Sequence, residues 1–207
     1  MSEVQRQKYP NVGVILIARQ TSSRLPNKVL KKINGKTILE IILEKVQEVS
    51  DNYIFAVPDT PGNSGLRNFL DLKGLNYLAG SESNVLDRFV KASTELTTPY
   101  VQRLNCDNLL FDPEYFKRCY EEIEYSHSIF TNVKRCENHS GASVEIVEKS
   151  KCLLDREPNE YEKEHVFPYF YNNEDLLIKH LTCPEGESIF PIDTEADFQK
   201  AEALLDD

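Results

Sequence analysis

Glycine is sparse in this chain, and its eight residues form neither G-x-x-x-x-G-K-[ST] nor G-x-G-x-x-G. A P-loop and a dinucleotide fingerprint are therefore excluded, since both need glycine at fixed offsets for the backbone to approach a phosphate. Cysteine is equally short of a framework. The five residues, Cys106, Cys119, Cys136, Cys152 and Cys183, contain no C-x-x-C pair, and an odd number cannot all close internal disulfides. The four histidines, His127, His139, His165 and His180, make no ligand-like spacing with them, which sets a structural zinc site aside. No apolar run approaches the roughly 20 residues of a membrane span, and MSEVQRQKYP has no apolar signal core. The expectation is a soluble cytoplasmic protein with reduced thiols and no membrane partner. No D-x-D triplet occurs either, which leaves a glycosyltransferase of similar architecture without its metal motif.

Lys and Arg number 24 against 34 Asp and Glu, a formal net charge of -10. That balance argues against nucleic acid as a partner, because such affinity comes from neutralising phosphates. The distribution is more telling than the total. Between Gly13 and Leu39 there is no Asp or Glu, yet Arg19, Arg24, Lys28, Lys31, Lys32 and Lys36 all fall there. One cationic segment is set apart in an acidic protein.

At 207 residues and 40% hydrophobic content the chain can bury a core as one domain, residues 1–207. VGVILIA (Val12 to Ala18) is a continuous β-branched run that suits a parallel strand covered on both faces, although a buried helix shares that pattern. Thr37 is placed to cap a helix on Ile38, Ile41, Ile42, Val46 and Val49. Strand candidates at Tyr53–Val57, Asn76–Ala79 and Tyr100–Leu104 then alternate with helices starting near Ser64, at Val85 and at Pro113. This alternation predicts a Rossmann-like three-layer α/β/α fold with a mostly parallel central sheet. Beyond His127 the rhythm loosens, with strands expected at SIFTNV and ASVEIV and an excursion at Asp155–Lys163. A small dimerisation or acceptor-side element is expected around 135–185. IFPID (Ile189 to Asp193) and a helix on Ala196, Phe198, Ala201, Leu204 and Leu205 close the chain.

Ligands of open α/β sheets bind beyond the carboxyl ends of the strands. Three ends stand out: ARQTSSRLPNKVL, NCDN and PIDTEAD. The first offers Arg19, Ser22, Ser23, Arg24 and Lys28, donors that suit phosphate oxygens. A merely solvated basic loop has the same composition. The other two place Asp107 and Asp193 at the sheet edge, where one or two carboxylates with substrate phosphates suffice for magnesium. Each is equally a turn former or a helix cap when taken alone. Together, a cationic loop and two acidic strand ends are the equipment of a metal-dependent nucleotidyl transferase.

ILIARQTSSRLPNKVLKKINGKTILEIILEKV (Ile15 to Val46) resembles the opening of the cytidylyltransferase family of the spore-coat polysaccharide biosynthesis protein F type. The acylneuraminate and 3-deoxy-manno-octulosonate cytidylyltransferases are related to that family. GSESNVLDRF, VQRLNCDNLLFDPE, GASVEIV, EHVFPYFY and IDTEADF continue the resemblance in order. It implies a CTP-dependent enzyme that transfers CMP to a sugar acid or related surface-polysaccharide precursor and releases pyrophosphate, working as a homodimer with Mg2+. It also implies that Ala18, Arg19, Ser23, Arg24, Lys28, Asp87 and Arg103 bind the nucleotide, with Arg24, Lys28, Asp107 and Asp193 catalytic. Asp107 and Asp193 would hold magnesium, and Arg88, Glu145 and His165 would face the acceptor.

Departures fall beside Asp107 and in the acceptor-side motifs. Cys106 replaces a usual Gly and Leu109 a usual Pro, Ser143 stands where an acid is usual, and Phe167 interrupts EHVTPY. A nucleotide-binding or assembly subunit without turnover is the competing reading. His165, beside Phe167, Tyr169, Phe170 and Tyr171, reads more readily as a packing residue than as an acceptor contact. Cys106 reads as a small buried residue, since no histidine lies near it and direct displacement needs no covalent intermediate.

Overall fold

The computed structural model describes residues 8–109, 113–123, 128–131, 145–174, 176–181 and 191–205. Ser143, residues 132–133 of SIFTNV, 142–144 of ASVEIV and 189–190 of the last expected strand lie outside the described residues. So does much of the segment expected to form the dimer element.

The strands in chain order are β1 (Val12–Ile17), β2 (Lys32–Ile33), β3 (Lys36–Thr37), β4 (Tyr53–Pro58), β5 (Tyr77–Gly80), β6 (Tyr100–Asn105), β7 (Ser128–Thr131), β8 (Glu145–Glu148) and β9 (Ile178–Leu181). Seven form one sheet in the order β5-β4-β1-β6-β8-β7-β9, in which only β8 runs against its neighbours. The helices are α1 (Ile38–Gln47), α2 (Ser64–Lys73), α3 (Val85–Glu95), α4 (Pro113–Glu121), α5 (Glu160–His165), α6 (Pro168–Tyr171) and α7 (Glu195–Leu205).

Alternation along β1 builds both faces of the sheet. Val12, Val14 and Leu16 pack with Ile38, Leu39 and Ile42 of α1, Phe116 of α4 and Phe198 of α7. Ile15 points the other way, into a cluster with Leu86, Phe89 and Ala92 of α3 and with Phe167 and Phe170. The result is the expected α/β/α arrangement. Gly13 shares the Ile15 face, and a Cβ there would fall 2.6 Å from the Thr98 hydroxyl, so its bare backbone lets the α3–β6 connection close over the strand. Thr37 caps α1 as expected: its Oγ1 accepts from the Glu40 N–H at 3.2 Å and its own N–H donates to Glu40 at 2.8 Å.

The strands and the last helix depart from the sequence reading in four places. A hairpin, β2–β3, turns on Asn34 and Gly35, both with positive φ (52° and 82°), the chemistry that a two-residue hairpin loop demands. β9 was not expected, and it completes the sheet beside β7. Of the expected terminal strand, the described residues 191–193 are not extended into a ladder; Ile192 instead donates to the Asp107 carbonyl at 2.8 Å. In α7 only Phe198 and Ala201 are buried, while Leu204 is 49% exposed, so the apolar stripe is narrower than its periodicity implied. No helix among the described residues is long and apolar enough to cross a membrane.

Candidate active site

From β1 the chain moves to β4 and β5 on one side, then returns to β6 on the other. The crevice at that reversal is the switch point where open α/β sheets bind ligands. The loop after β1 and the turn after β6 both end there.

Asn27 takes a left-handed conformation and starts a 3-10 turn, Lys28–Leu30, closed by the Leu30 N–H on the Asn27 carbonyl at 2.9 Å. This turn buries the Lys28 side chain to 8% exposure. Its ammonium donates to Asp107 Oδ2 at 2.8 Å, to the Ile192 carbonyl at 3.0 Å and to Asp193 Oδ1 at 3.1 Å. Three donors thus meet three acceptors, which satisfies the buried ammonium in full. Arg24 binds the other Asp193 oxygen at 2.8 Å while its side chain stays 64% exposed. The four residues expected to carry catalysis are joined in one chain of charge.

The cap reading of Asp193 does not hold. Thr194 caps α7: its hydroxyl accepts from the Asp197 N–H at 3.2 Å, and its own N–H donates to Asp197 at 2.8 Å. Asp197 also takes the Asp193 N–H at 3.1 Å, leaving the Asp193 side chain to face Lys28. Asp107 is aimed by β6, which Cys106 extends through its N–H to the Ile17 carbonyl at 2.9 Å. Cys106 itself is buried, and burial pushes its thiol up, away from nucleophile chemistry.

Two partly exposed carboxylates that converge on one ammonium fit a divalent cation that takes few protein ligands and fills its remaining positions with water and phosphate oxygens. Among the described residues no group of three or more His, Cys, Asp or Glu side chains is placed to hold a metal. A cation here would therefore rest on Asp107 and Asp193 together with the substrate.

The cleft of about 180 Å³ beside this cluster is lined by Ala18, Arg19, Lys28, Arg88, Arg103 and Asp107, and also by Glu82, Glu164 and His165. Arg19, Glu82 and Glu164 also border a wider groove over the ends of β4 and β5 that reaches Asp59, Thr60 and Ser81. The enclosed part is smaller than most small-molecule pockets, so a nucleotide would spread into the groove. Arg88 is buried, donates to the Ser81 carbonyl, and has its guanidinium drawn down to about 10 by burial and by nearby Arg19. Ser23 lies exposed on the loop. Asp87 does not line the cleft: it pairs with Lys91 at 2.8 Å along α3. Glu145 sits behind Arg103 and pairs with it at 2.5 Å, outside the cleft lining.

His165 overturns the packing reading. Its ring is exposed at the cleft against Tyr161, with centroids 4.4 Å apart. The cause is Val166, a buried β-branched residue at φ 64°, ψ -67°. There the chain makes a tight turn closed by the Phe167 N–H on the His165 carbonyl at 2.8 Å, a strained geometry for such a residue. The turn sends Phe167 into the core and leaves His165 outside. Glu82 and Glu164 were not singled out from the sequence, because a lone acid in a loop carries no spacing signal.

The Asp155–Lys163 segment, expected as an excursion or dimer-forming element, leads into α5, which packs against α3. Glu162, 2% exposed in its side chain, receives Arg156 through two hydrogen bonds of 2.8 and 2.6 Å. That pairing, foremost among several hydrogen bonds, holds its carboxyl at about 2. A folded-state value below the unfolded one stabilises the fold above about pH 4.5, and the contribution disappears as pH falls toward 2. Glu162→Gln should therefore lower the melting temperature at pH 7 and flatten its decline between about pH 4.5 and 2, read by thermal melts across that range. Glu40, held at about 2 chiefly by Lys73, leaves a residual slope in the variant.

The sequence profile of the family described as cytidylyltransferase matches residues 13–205. An uncharacterized protein of Methanocaldococcus jannaschii is 31% identical over 195 residues, covering 91% of this chain and 80% of its own. The spore coat polysaccharide biosynthesis protein SpsF of Bacillus subtilis is 28% identical over 207 residues, covering 92% of this chain and 84% of its own. Among solved structures, a cytidylyltransferase from Leptospira borgpetersenii superposes with a TM-score of 0.81 at 21% identity, covering 96% of this chain and 87% of its own.

Proposed function

Since this chain belongs to the cytidylyltransferase family, we propose that it transfers CMP from CTP to a sugar acid or related surface-polysaccharide precursor, with Mg2+, and releases pyrophosphate. The observation that carries this reading is the Arg24–Asp193–Lys28–Asp107 cluster at the switch point of the sheet.

An acceptor oxygen would attack the α-phosphorus in line, forming the new O–P bond as the bond to the pyrophosphate oxygen breaks. The acceptor proton passes to solvent. Arg24, and Lys28 on exchanging one of its present acceptors for a phosphate oxygen, would bind the β- and γ-phosphates and offset the charge that builds on the leaving pyrophosphate. Ala18 and Arg19 would border the nucleoside, with Arg103 and the exposed His165 beside the reacting centre. Magnesium held by Asp107 and Asp193 would neutralise phosphate charge and acidify the acceptor hydroxyl. Asp87 supports the nucleotide side only through α3, Arg88 forms part of the cleft wall, and Glu145 braces Arg103 from behind. A homodimer built through the 135–185 region, acting in the cytoplasm, completes the proposal.

Pyrophosphate release measured with each of the four nucleoside triphosphates, Mg2+ and a panel of sugar acids tests it. CTP should exceed the other nucleotides by at least about tenfold, the discrimination a polar site reaches by leaving wrong partners unpaired. Equal turnover with all four would refute cytidylyl specificity. CTP binding without turnover on any acceptor would instead favour a non-catalytic nucleotide-binding subunit.

A further inference from the structure

The basic loop is held mainly by residues distant from it in sequence. The Gln20 N–H donates to Asn63 Oδ1 at 2.7 Å. The Gln20 side chain accepts from the Leu66 N–H at 2.9 Å and donates to Asn27 Oδ1 at 2.7 Å, while the Asn27 N–H returns to the Gln20 carbonyl at 3.0 Å. Gln20 therefore staples both ends of the loop, including the residue whose left-handed turn aims Lys28. The Thr21 hydroxyl donates to Glu82, whose second oxygen accepts from Thr60 Oγ1 at 2.8 Å. Those hydroxyl bonds, Thr21 first, hold the Glu82 carboxyl below its ordinary value.

Asn63 is the common point. It is fully buried, and its amide nitrogen donates to Thr60 Oγ1 at 2.9 Å and reaches Glu82 at 3.4 Å. One side chain thus ties together the loops that follow β1, β4 and β5. The glycines on either side give an independent sign of the same fit. A Cβ on Gly62 would lie 2.9 Å from the Thr21 methyl, and one on Gly65 would lie 2.9 Å from the Gln20 amide. Neither has a positive φ, so both are small because the basic loop rests on them.

We infer that the Pro61–Gly65 turn and Glu82 form a seat that presets the arc of the basic loop, with Asn63 the positioning residue that sets Arg24 and Lys28 for the two terminal phosphates of CTP. This rests on the cytidylyl-transfer reading. Asn63 itself is fully buried and lines neither the cleft nor the groove. A loop left free would have to be ordered when the triphosphate binds, and the seat meets that cost during folding.

Calorimetric titration with CTP and with CMP, which lacks the two terminal phosphates, separates the seat from a general structural role. Asn63→Ala should weaken CTP about tenfold while changing CMP less than about twofold, the scale of a lost buried hydrogen bond. Thr21→Val removes the bond to Glu82 at an exposed position and should act in the same direction, about threefold. It decides the matter if Asn63→Ala does not fold. Equal weakening of both nucleotides, or no change in either, overturns the seat while the cytidylyl reading stands. Wild-type protein that binds no CTP overturns both.

Discussion

Asp107→Asn should reduce CTP-dependent pyrophosphate release by about 10³-fold, with little loss of fold, the size of effect seen when a charge-stabilising group at a reacting centre is removed. The amide keeps the shape of the carboxylate and can still accept from Lys28, which now touches Asp107 at 2.8 Å. What it loses is the negative charge that would hold a hard cation. Melting temperature should move by only a few degrees, because the side chain is 26% exposed and the backbone bond from Ile192 to the Asp107 carbonyl is unaffected. Steady-state kinetics at saturating CTP, with a melt of the same sample, check both parts. A variant that keeps more than a tenth of wild-type turnover would remove Asp107 from the reacting centre.

That expectation could be framed from sequence because the residues behind it sit at strand ends. Val12 to Ile17 announces a buried parallel strand by its unbroken apolar run, and the loop after such a strand in an α/β fold faces the ligand. Asp107 and Asp193 were each ambiguous alone; only the fold brings residues 107 and 193 to one ammonium. The ambiguity at Asp193 was a matter of one position, since Thr194 does the capping. Asn34–Gly35 was a readable hairpin signal that the helix pattern after Thr37 overshadowed. His165 misled for a physical reason. A single residue in a rare backbone conformation, Val166, inverts the inside–outside order that the aromatic neighbours suggest, and no periodicity encodes that. The seat under the basic loop was equally hidden, because Gln20, Asn63 and Glu82 lie far apart in the chain and meet only when β1, β4 and β5 are side by side.

Lys28→Met should have the second large effect, and it separates two roles that the wild-type geometry overlays. As the proposed triphosphate ligand, Lys28 would supply a buried charge, and its loss should weaken CTP binding by about 10²-fold or more. As a structural cation, it sits 2.8 and 3.1 Å from two carboxylates in a site where its own side chain is 8% exposed. Breaking a buried pair of this kind by removing one partner costs about 3–5 kcal/mol, and the partial exposure of both aspartates places the expected loss toward the lower end. The variant should therefore melt several degrees below wild type in the absence of divalent cations. If magnesium is held by the same two carboxylates, as proposed above, millimolar Mg2+ should restore part of that loss by mass action. The restoration should be absent in the double variant Lys28→Met, Asp107→Asn, which has only one of the two carboxylates left. Thermal melts with and without Mg2+ measure this independently of turnover. If the single variant gains nothing from Mg2+, the two aspartates serve only as partners of Lys28 and Arg24, and the divalent cation of the proposed reaction must be held elsewhere.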